Sequence, residues 1–285
     1  MAETMVRTYL VNLDGSQERL DISRGQLERA GIEFIRVPAV DGRKSDPRAH
    51  PAYHEKRALA FMGCQVSGGE FGCYLSHLKA AQMFLDSGEQ YAMVLEDDMF
   101  IPADLANTTE TLLSWLEKDG RYWDLINIGL DGIKRHTPLC ALQGQQQLHT
   151  LSSAHYFPMT AGGLIWSRAG AQNFVNSQHE IFAPVDNYLR FWLTRTNTGL
   201  AVWPPLVRTR GVQSDIDSIN AGSRATASQQ RHFFYNLIRQ RWFVLNKLRS
   251  YRHLWTARLK RRLSGNSALP VADQIVLPPI ISPAE

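Results

Sequence analysis

Tyr91-Ala92-Met93-Val94-Leu95 runs directly into Glu96-Asp97-Asp98. A nearly unbroken apolar run of this length predicts a strand buried on both faces, as found inside a covered α/β sheet. Three adjacent carboxylates at its end repel one another and are costly without a cation nearby. In an extended chain Glu96 and Asp98 point to one side and Asp97 to the other. Two same-side carboxylates are hard oxygen ligands for Mn²⁺ or Mg²⁺, leaving coordination positions for phosphate oxygens and water. Strand ends of this kind are where open α/β sheets bind substrates. The competing reading is a solvated acidic turn, with one carboxylate capping the next helix.

Outward from this stretch the pattern keeps alternating. Thr8 to Leu13 reads as a strand closed by Asp14-Gly15, and Ser16 as the cap of a helix with Leu20 and Leu27 on one face and Gly31 as its stop. Phe34 to Val40 is a second strand, and Arg43 to Gly69 dissolves into Pro, His, Gly and charge, the pattern of a long loop over a site. Leu75, Leu78, Ala81 and Leu85 mark a helix stopped by Gly88, and Leu112, Leu113 and Leu116 mark another. Strands are expected at Asp124 to Ile128, Thr160 to Trp166 and Leu200 to Trp203, with helices after Ser167 and from Asp186 to Leu193. Gly129 to His155 reads as loop. Strands alternating with helices predict an α/β sheet covered on both faces.

The 285 residues are 44% hydrophobic and 20% charged, which excludes a disordered or fibrous chain. No stretch approaches the roughly 18 apolar residues of a membrane span, and MAETMVRTYLVNLDG lacks the plan of a secretory signal. Cys64, Cys73 and Cys140 are an odd, widely spaced set, better suited to reduced thiols than to a disulfide framework or zinc site. A cytoplasmic protein is the expectation.

The net charge of +4 hides an asymmetry. From Ser218 to Ala272 there are eleven basic residues and no acid, which leaves 20 basic residues and all 27 acids, a net of −7, for the rest of the chain. The expected division is a catalytic domain over 1–217 and a basic helical segment with a Pro-rich, extended tail over 218–285. Within residues 224–262, Trp, Phe and Leu recur at helical spacing between the arginines. Two readings stay open: a basic amphipathic helix lying on an anionic membrane surface, or a helix docked on the body with a solvated basic face. The acidic body and the lack of an RNA- or DNA-reading motif argue against nucleic acid.

A series of short motifs then falls in order: YLVNLD (9–14) with Arg19, PAVDG (38–42), GEFGCYLSH (69–77), LEDD (95–98), TAGGLIWSRAGA (160–171), PVDNYL (184–189) and WPPLV (203–207). Together, with GxxGCxLSH just ahead of LEDD, they resemble glycosyltransferase family 25, which includes bacterial lipooligosaccharide galactosyltransferases and collagen galactosyltransferase domains. The resemblance covers residues 8–217. It implies a GT-A-like nucleotide-diphospho-sugar fold and an inverting transfer, usually of galactose from UDP-galactose to a glycan hydroxyl. It makes LEDD the counterpart of that fold's DxD motif, with Asp98 as metal ligand and Glu96 facing the metal or the ribose. It also implies that the first strand, at Asn12 and Leu13, holds the nucleotide base, with Arg19 in reach of base or phosphate. Gly15 departs from the arginine often found there, which removes one side-chain contact from the donor site.

An inverting transfer needs a base opposite the leaving group. Asp186 is the candidate, at a helix N-terminus whose dipole favours the ionised form; a plain N-cap is the alternative. Asp131, Asp215 and Glu70 stand in reserve. Gly162 and Gly163 either admit the sugar close to the backbone or serve tight strand packing. His77 reads as a buried histidine bonded to backbone near the metal strand rather than as a direct ligand. The sequence does not identify a third ligand; His155 is one candidate. A sugar-nucleotide pyrophosphorylase would carry a Gly-rich basic loop after the first strand, which NLDGSQER lacks. A scaffold that binds UDP-sugar without transfer is opposed by the intact acidic triplet and Asp186.

Overall fold

The computed structural model describes residues 6–177, 179–211, 233–263 and 269–272. Tyr91–Glu96 forms strand β3, with its four central residues buried. It lies between β1 (Arg7–Asn12), which runs parallel to it, and β8 (Gly163–Ser167), which runs antiparallel. β2 (Phe34–Pro38) pairs parallel with β1 and closes that edge. Beyond β8 come β5 (Leu125–Asn127), β9 (Gly199–Trp203), β7 (Leu148–Tyr156) and β6 (Lys134–Gln143), completing an eight-stranded sheet. A two-stranded sheet pairs β4 (Met99–Phe100) with β10 (Arg208–Thr209).

Alternation along the central strands sorts their side chains onto two faces. Tyr9, Val11, Ala92 and Val94 join one buried cluster, while Leu10, Met93 and Leu95 join the other. The helices that cover these faces are α1 (Gln17–Arg29), α2 (Glu55–Met62), α3 (Gly68–Ser87), α4 (Leu105–Asp119), α5 (Arg168–Asn176) and α6 (Val185–Thr196). This mixed sheet flanked by helices is of the α/β class that the sequence led one to expect.

The departures from the expected elements have local causes. Residues 43–69 are not all loop: α2 lies within them, and α3 begins at Gly68, ahead of the apolar periodicity. Ser67 and Glu70 close a capping box at its N-terminus, the Ser67 side chain accepting from the Glu70 amide and the Glu70 carboxylate accepting from the Ser67 amide. The glycines there permit backbone contact: a Cβ on Gly72 would lie 2.5 Å from the Val40 carbonyl oxygen, and one on Gly68 would lie 2.1 Å from that of Gly42. PAVDG and GGEFG are therefore packed backbone to backbone. Residues 129–155 are not loop either but hold most of the β6–β7 hairpin, which carries a register shift between Pro138 and Cys140. Ser16 sits at the N-cap of α1 without a side-chain capping bond.

Helix α7 (Tyr235–Leu263, 29 residues) is docked on the body. Its Trp242 meets Phe61 and Phe191 at ring-centroid distances of 4.9 and 5.6 Å, and Arg135 Nε donates to Ser250 Oγ at 2.7 Å. Of the tail, Pro270 and Ala272 pair with Ala141 of β6. The 217/218 boundary lies outside the described residues, as do Asp215, Arg224 and Arg231. None of the three cysteines forms a disulfide.

Candidate active site

The carboxyl ends of β1, β2 and β3 open into a cleft of about 110 Å³, lined by Asn12, Leu13, Arg19, Gly42, Gly69, Cys73 and the Glu96–Asp98 triplet, among others. The three acids have separate roles. Asp97 is largely buried and acts as a structural hub: Asn12 Nδ2 donates to its Oδ2 at 2.6 Å, and Arg19 lies 3.7 Å from Oδ1. Ser23 and Arg210 both donate to its carbonyl oxygen. These bonds hold the turn between β3 and β4, and with it the orientation of its two neighbours.

Asp98 is not satisfied in this way. Its Oδ1 is buried with no hydrogen-bond partner among the described residues. Burial, reinforced by Glu96 and Asp97, pushes its carboxyl up to about 6, against an opposing pull from Arg19. A buried, partnerless carboxylate oxygen beside a second carboxylate fits a divalent cation, which would remove both the repulsion and the orphan.

Glu96 is held from α3. His77 Nε2 lies 3.0 Å from Glu96 Oε1 and Cys73 Sγ lies 3.9 Å from the same oxygen. Cys73, His77 and Glu96 each bring one donor atom within 4.8 Å of the others, an arrangement able to hold a metal ion. His77 thus bonds a carboxylate and not the backbone expected for it. Cys73 went unassigned in the motif reading, although its spacing of four from His77 places both on one helix face. His155 is elsewhere, bonded to Thr137 and Asn197 and facing His253 of α7.

Asp186 sits in the first turn of α6, where Pro184 is the N-cap. It is not a plain N-cap. Its Oδ1 accepts from the Asn187 amide at 2.7 Å and from Asn187 Nδ2 at 3.0 Å, which leaves Oδ2 without a bond among the described residues. Its carboxyl is raised, not lowered as the dipole alone suggested. Burial is the largest cause and Glu70 adds to it, while the Asn187 bonds and Arg190 oppose. The Cys73 thiol is pushed well above its usual range, by burial first and then by the negative charges of Glu96, Asp186 and Glu70. Glu70 is committed to the capping box, and Asp131 is exposed outside the cleft lining.

The Asn12 side chain is consumed by Asp97, Ser16 and Arg36. Of the two readings for Gly162 and Gly163, the structure has the packing one. A Cβ on Gly162 would lie 2.7 Å from Met99 Sδ, and one on Gly163 would lie 2.5 Å from a Val207 methyl. The Gly162 carbonyl also accepts from the Glu96 amide at 2.9 Å, fastening the metal strand.

A mixed α/β sheet whose acidic strand end opens into a cleft, with the Asp186 carboxylate on α6 outside the residues that line that cleft, is an arrangement compatible with glycosyl transfer. The chain belongs to glycosyltransferase family 25: the family model described as "Glycosyltransferase family 25 (LPS biosynthesis protein)" matches residues 5–189. Procollagen galactosyltransferase 1 of Danio rerio is 26% identical over 186 residues, which cover 64% of this chain and 30% of the relative. A glycosyltransferase 25 family member of Aedes aegypti is 28% identical over 193 residues, with the same coverage. The chain thus matches less than a third of the length of these relatives. Among solved structures, a glycosyltransferase involved in glycosylation of the major capsid of PBCV-1 aligns over 76% of this chain and 99% of its own, at 9% identity and a TM-score of 0.37.

Proposed function

We propose that this protein is an inverting, metal-dependent galactosyltransferase that moves galactose from UDP-galactose to a hydroxyl of a lipooligosaccharide, LPS or other surface glycan. Family membership supports glycosyl transfer, and the relatives named procollagen galactosyltransferases support galactose. The observation that carries the metal requirement is the buried, partnerless Asp98 oxygen beside Glu96. Asp98 and Glu96 would hold Mn²⁺ or Mg²⁺, and the bound cation would offset the charge that develops on the UDP leaving group.

The chain's own groups supply the rest. Asp97, through Asn12 and Arg19, fixes the turn that carries Asp98. His77 keeps Glu96 aimed from the strand end. The free Oδ2 of Asp186 takes the proton from the acceptor hydroxyl as that oxygen bonds to the anomeric carbon. The bond from that carbon to the diphosphate oxygen breaks, its electron pair leaves with UDP, and the sugar inverts. Burial raises the basicity of Asp186 and so suits it to this transfer. The setting is the cytosolic face of a membrane, with the basic segment 224–262 toward an anionic surface that bears the lipid-linked acceptor. Asp186→Asn is the test: donor binding should persist and transfer should be lost. Near-normal turnover would remove Asp186 from the role.

A further inference from the structure

Helix α7 has two unlike faces. Trp242, Asn246, Ser250 and Leu254 recur every fourth residue on the side that meets the body, and the last three are buried. At about 3.6 residues per turn, Leu237, Val244, Leu248, Trp255 and Leu259 fall in one line on the opposite side, with Tyr251 at its edge, where Arg135 of β6 lies over its ring at 5.0 Å. All six are exposed, Trp255 to 68% and Leu248 to 60%. Arg241 and Arg252 stand within that line, with Lys247 and Arg258 at its margin, and no acidic residue occurs from Ser218 to Ala272.

A row of large apolar side chains left in water calls for a cover. A second copy of this helix is a poor one, because it would oppose two acid-free, arginine-rich faces. An anionic bilayer fits both halves of the pattern. Leu and Trp side chains reach the acyl boundary, while guanidinium and ammonium groups lie at the lipid phosphates.

We propose that α7 is a rigid membrane keel: its outward line enters an anionic phospholipid surface while its inner face stays docked on α2, α6 and the β6–β7 hairpin. The two readings of the segment, on membrane or on body, are then both true of different faces. Because α6 carries Asp186 and packs against α7, docking fixes how the catalytic cleft stands over the bilayer. The keel deepens the proposal of a lipid-borne acceptor and takes its purpose, though none of its evidence, from that proposal.

The test uses the full chain and sucrose-loaded vesicles of phosphatidylcholine with or without phosphatidylglycerol. The protein should sediment with the anionic vesicles and not with the neutral ones. Leu248→Glu with Trp255→Glu, both at exposed positions, should weaken that binding at least about tenfold without lowering the melting temperature. Brominated lipid should quench tryptophan emission, and Trp255→Phe should abolish the quenching while Trp242→Phe leaves it. Equal binding to neutral vesicles, or an unaffected double variant, would overturn the anchor. Quenching that follows Trp242 would overturn the docked geometry. UDP-galactose titration without vesicles separates the two proposals. If the wild type bound no donor, the transferase reading would fail while the vesicle result stood.

Discussion

Replacing Asp98 by asparagine should make the metal-free protein more stable and the enzyme inactive. The Asp98 carboxyl is raised from 3.8 to about 6 by burial and by Glu96 and Asp97. Between those two pH values the folded chain holds a proton that the unfolded chain has released, so stability falls as pH rises through the window and stays lost above it. A displacement of this size corresponds to about 3 kcal/mol. The amide keeps the shape, carries no charge and can donate to Glu96, but it still has to satisfy a buried site. The expected gain in chelator at pH 7.5 is therefore about 1–3 kcal/mol, or roughly 2–5 °C in melting temperature for a chain of this length. Mn²⁺ should reverse the ranking. The wild type should gain about 2.7 kcal/mol at a hundredfold excess over its dissociation constant, and Asp98→Asn should gain little. Thermal scans with EDTA and with Mn²⁺ read both effects. An Asp98→Asn protein that melts below wild type in EDTA, or gains as much from Mn²⁺, would refute a cation site built on repelling carboxylates.

The base assignment carries a pH signature as well as a mutational one. Because the Asp186 carboxyl is raised, turnover should fall with decreasing pH at higher pH than an ordinary carboxylate dictates, and this limb should vanish in the residual activity of Asp186→Asn. His77→Gln should raise the Mn²⁺ dissociation constant several-fold at nearly unchanged melting temperature, since it frees Glu96 from its partner on α3; unchanged Mn²⁺ affinity by calorimetry would deny the positioning role. Gly72→Ala should cost about 1–3 kcal/mol in denaturant unfolding, because its methyl group meets the Val40 carbonyl. A neutral result there would mean that the two glycine motifs separate easily.

The central sheet was legible because β3 and β8 are nearly continuous apolar runs and β1 carries Tyr9-Leu10-Val11 at its centre, the trace of a strand buried on both faces. The β6–β7 hairpin left no such trace. Lys134 is exposed and Arg135 to Leu139 are only partly buried, Pro138 interrupts the run, and α7, about a hundred residues away in sequence, covers part of it. Glycine content hid the start of α3, although Ser67 and Glu70 stood at capping-box spacing; the glycines serve contact with Gly42, which only the tertiary structure reveals. In the candidate site, the acidic triplet and Asp186 stand out by residue type and position. The division of labour within the triplet does not, because Asp97 becomes a hub only when Asn12, Arg19 and Ser23 converge on it. For the same reason the partner of Glu96 was missed. His77 belongs to a quoted motif, but its bond depends on how α3 lies across the end of β3.

Calorimetric titration of UDP-galactose, UDP-glucose and UDP-N-acetylglucosamine into the full chain, each with Mn²⁺ and with EDTA, tests the catalytic proposal most directly. UDP-galactose should bind with Mn²⁺, bind far more weakly in EDTA, and be preferred over the other two donors. Absence of binding by folded protein, or binding indifferent to the metal, would contradict a cation-assisted galactosyl transfer at Asp98 and Glu96.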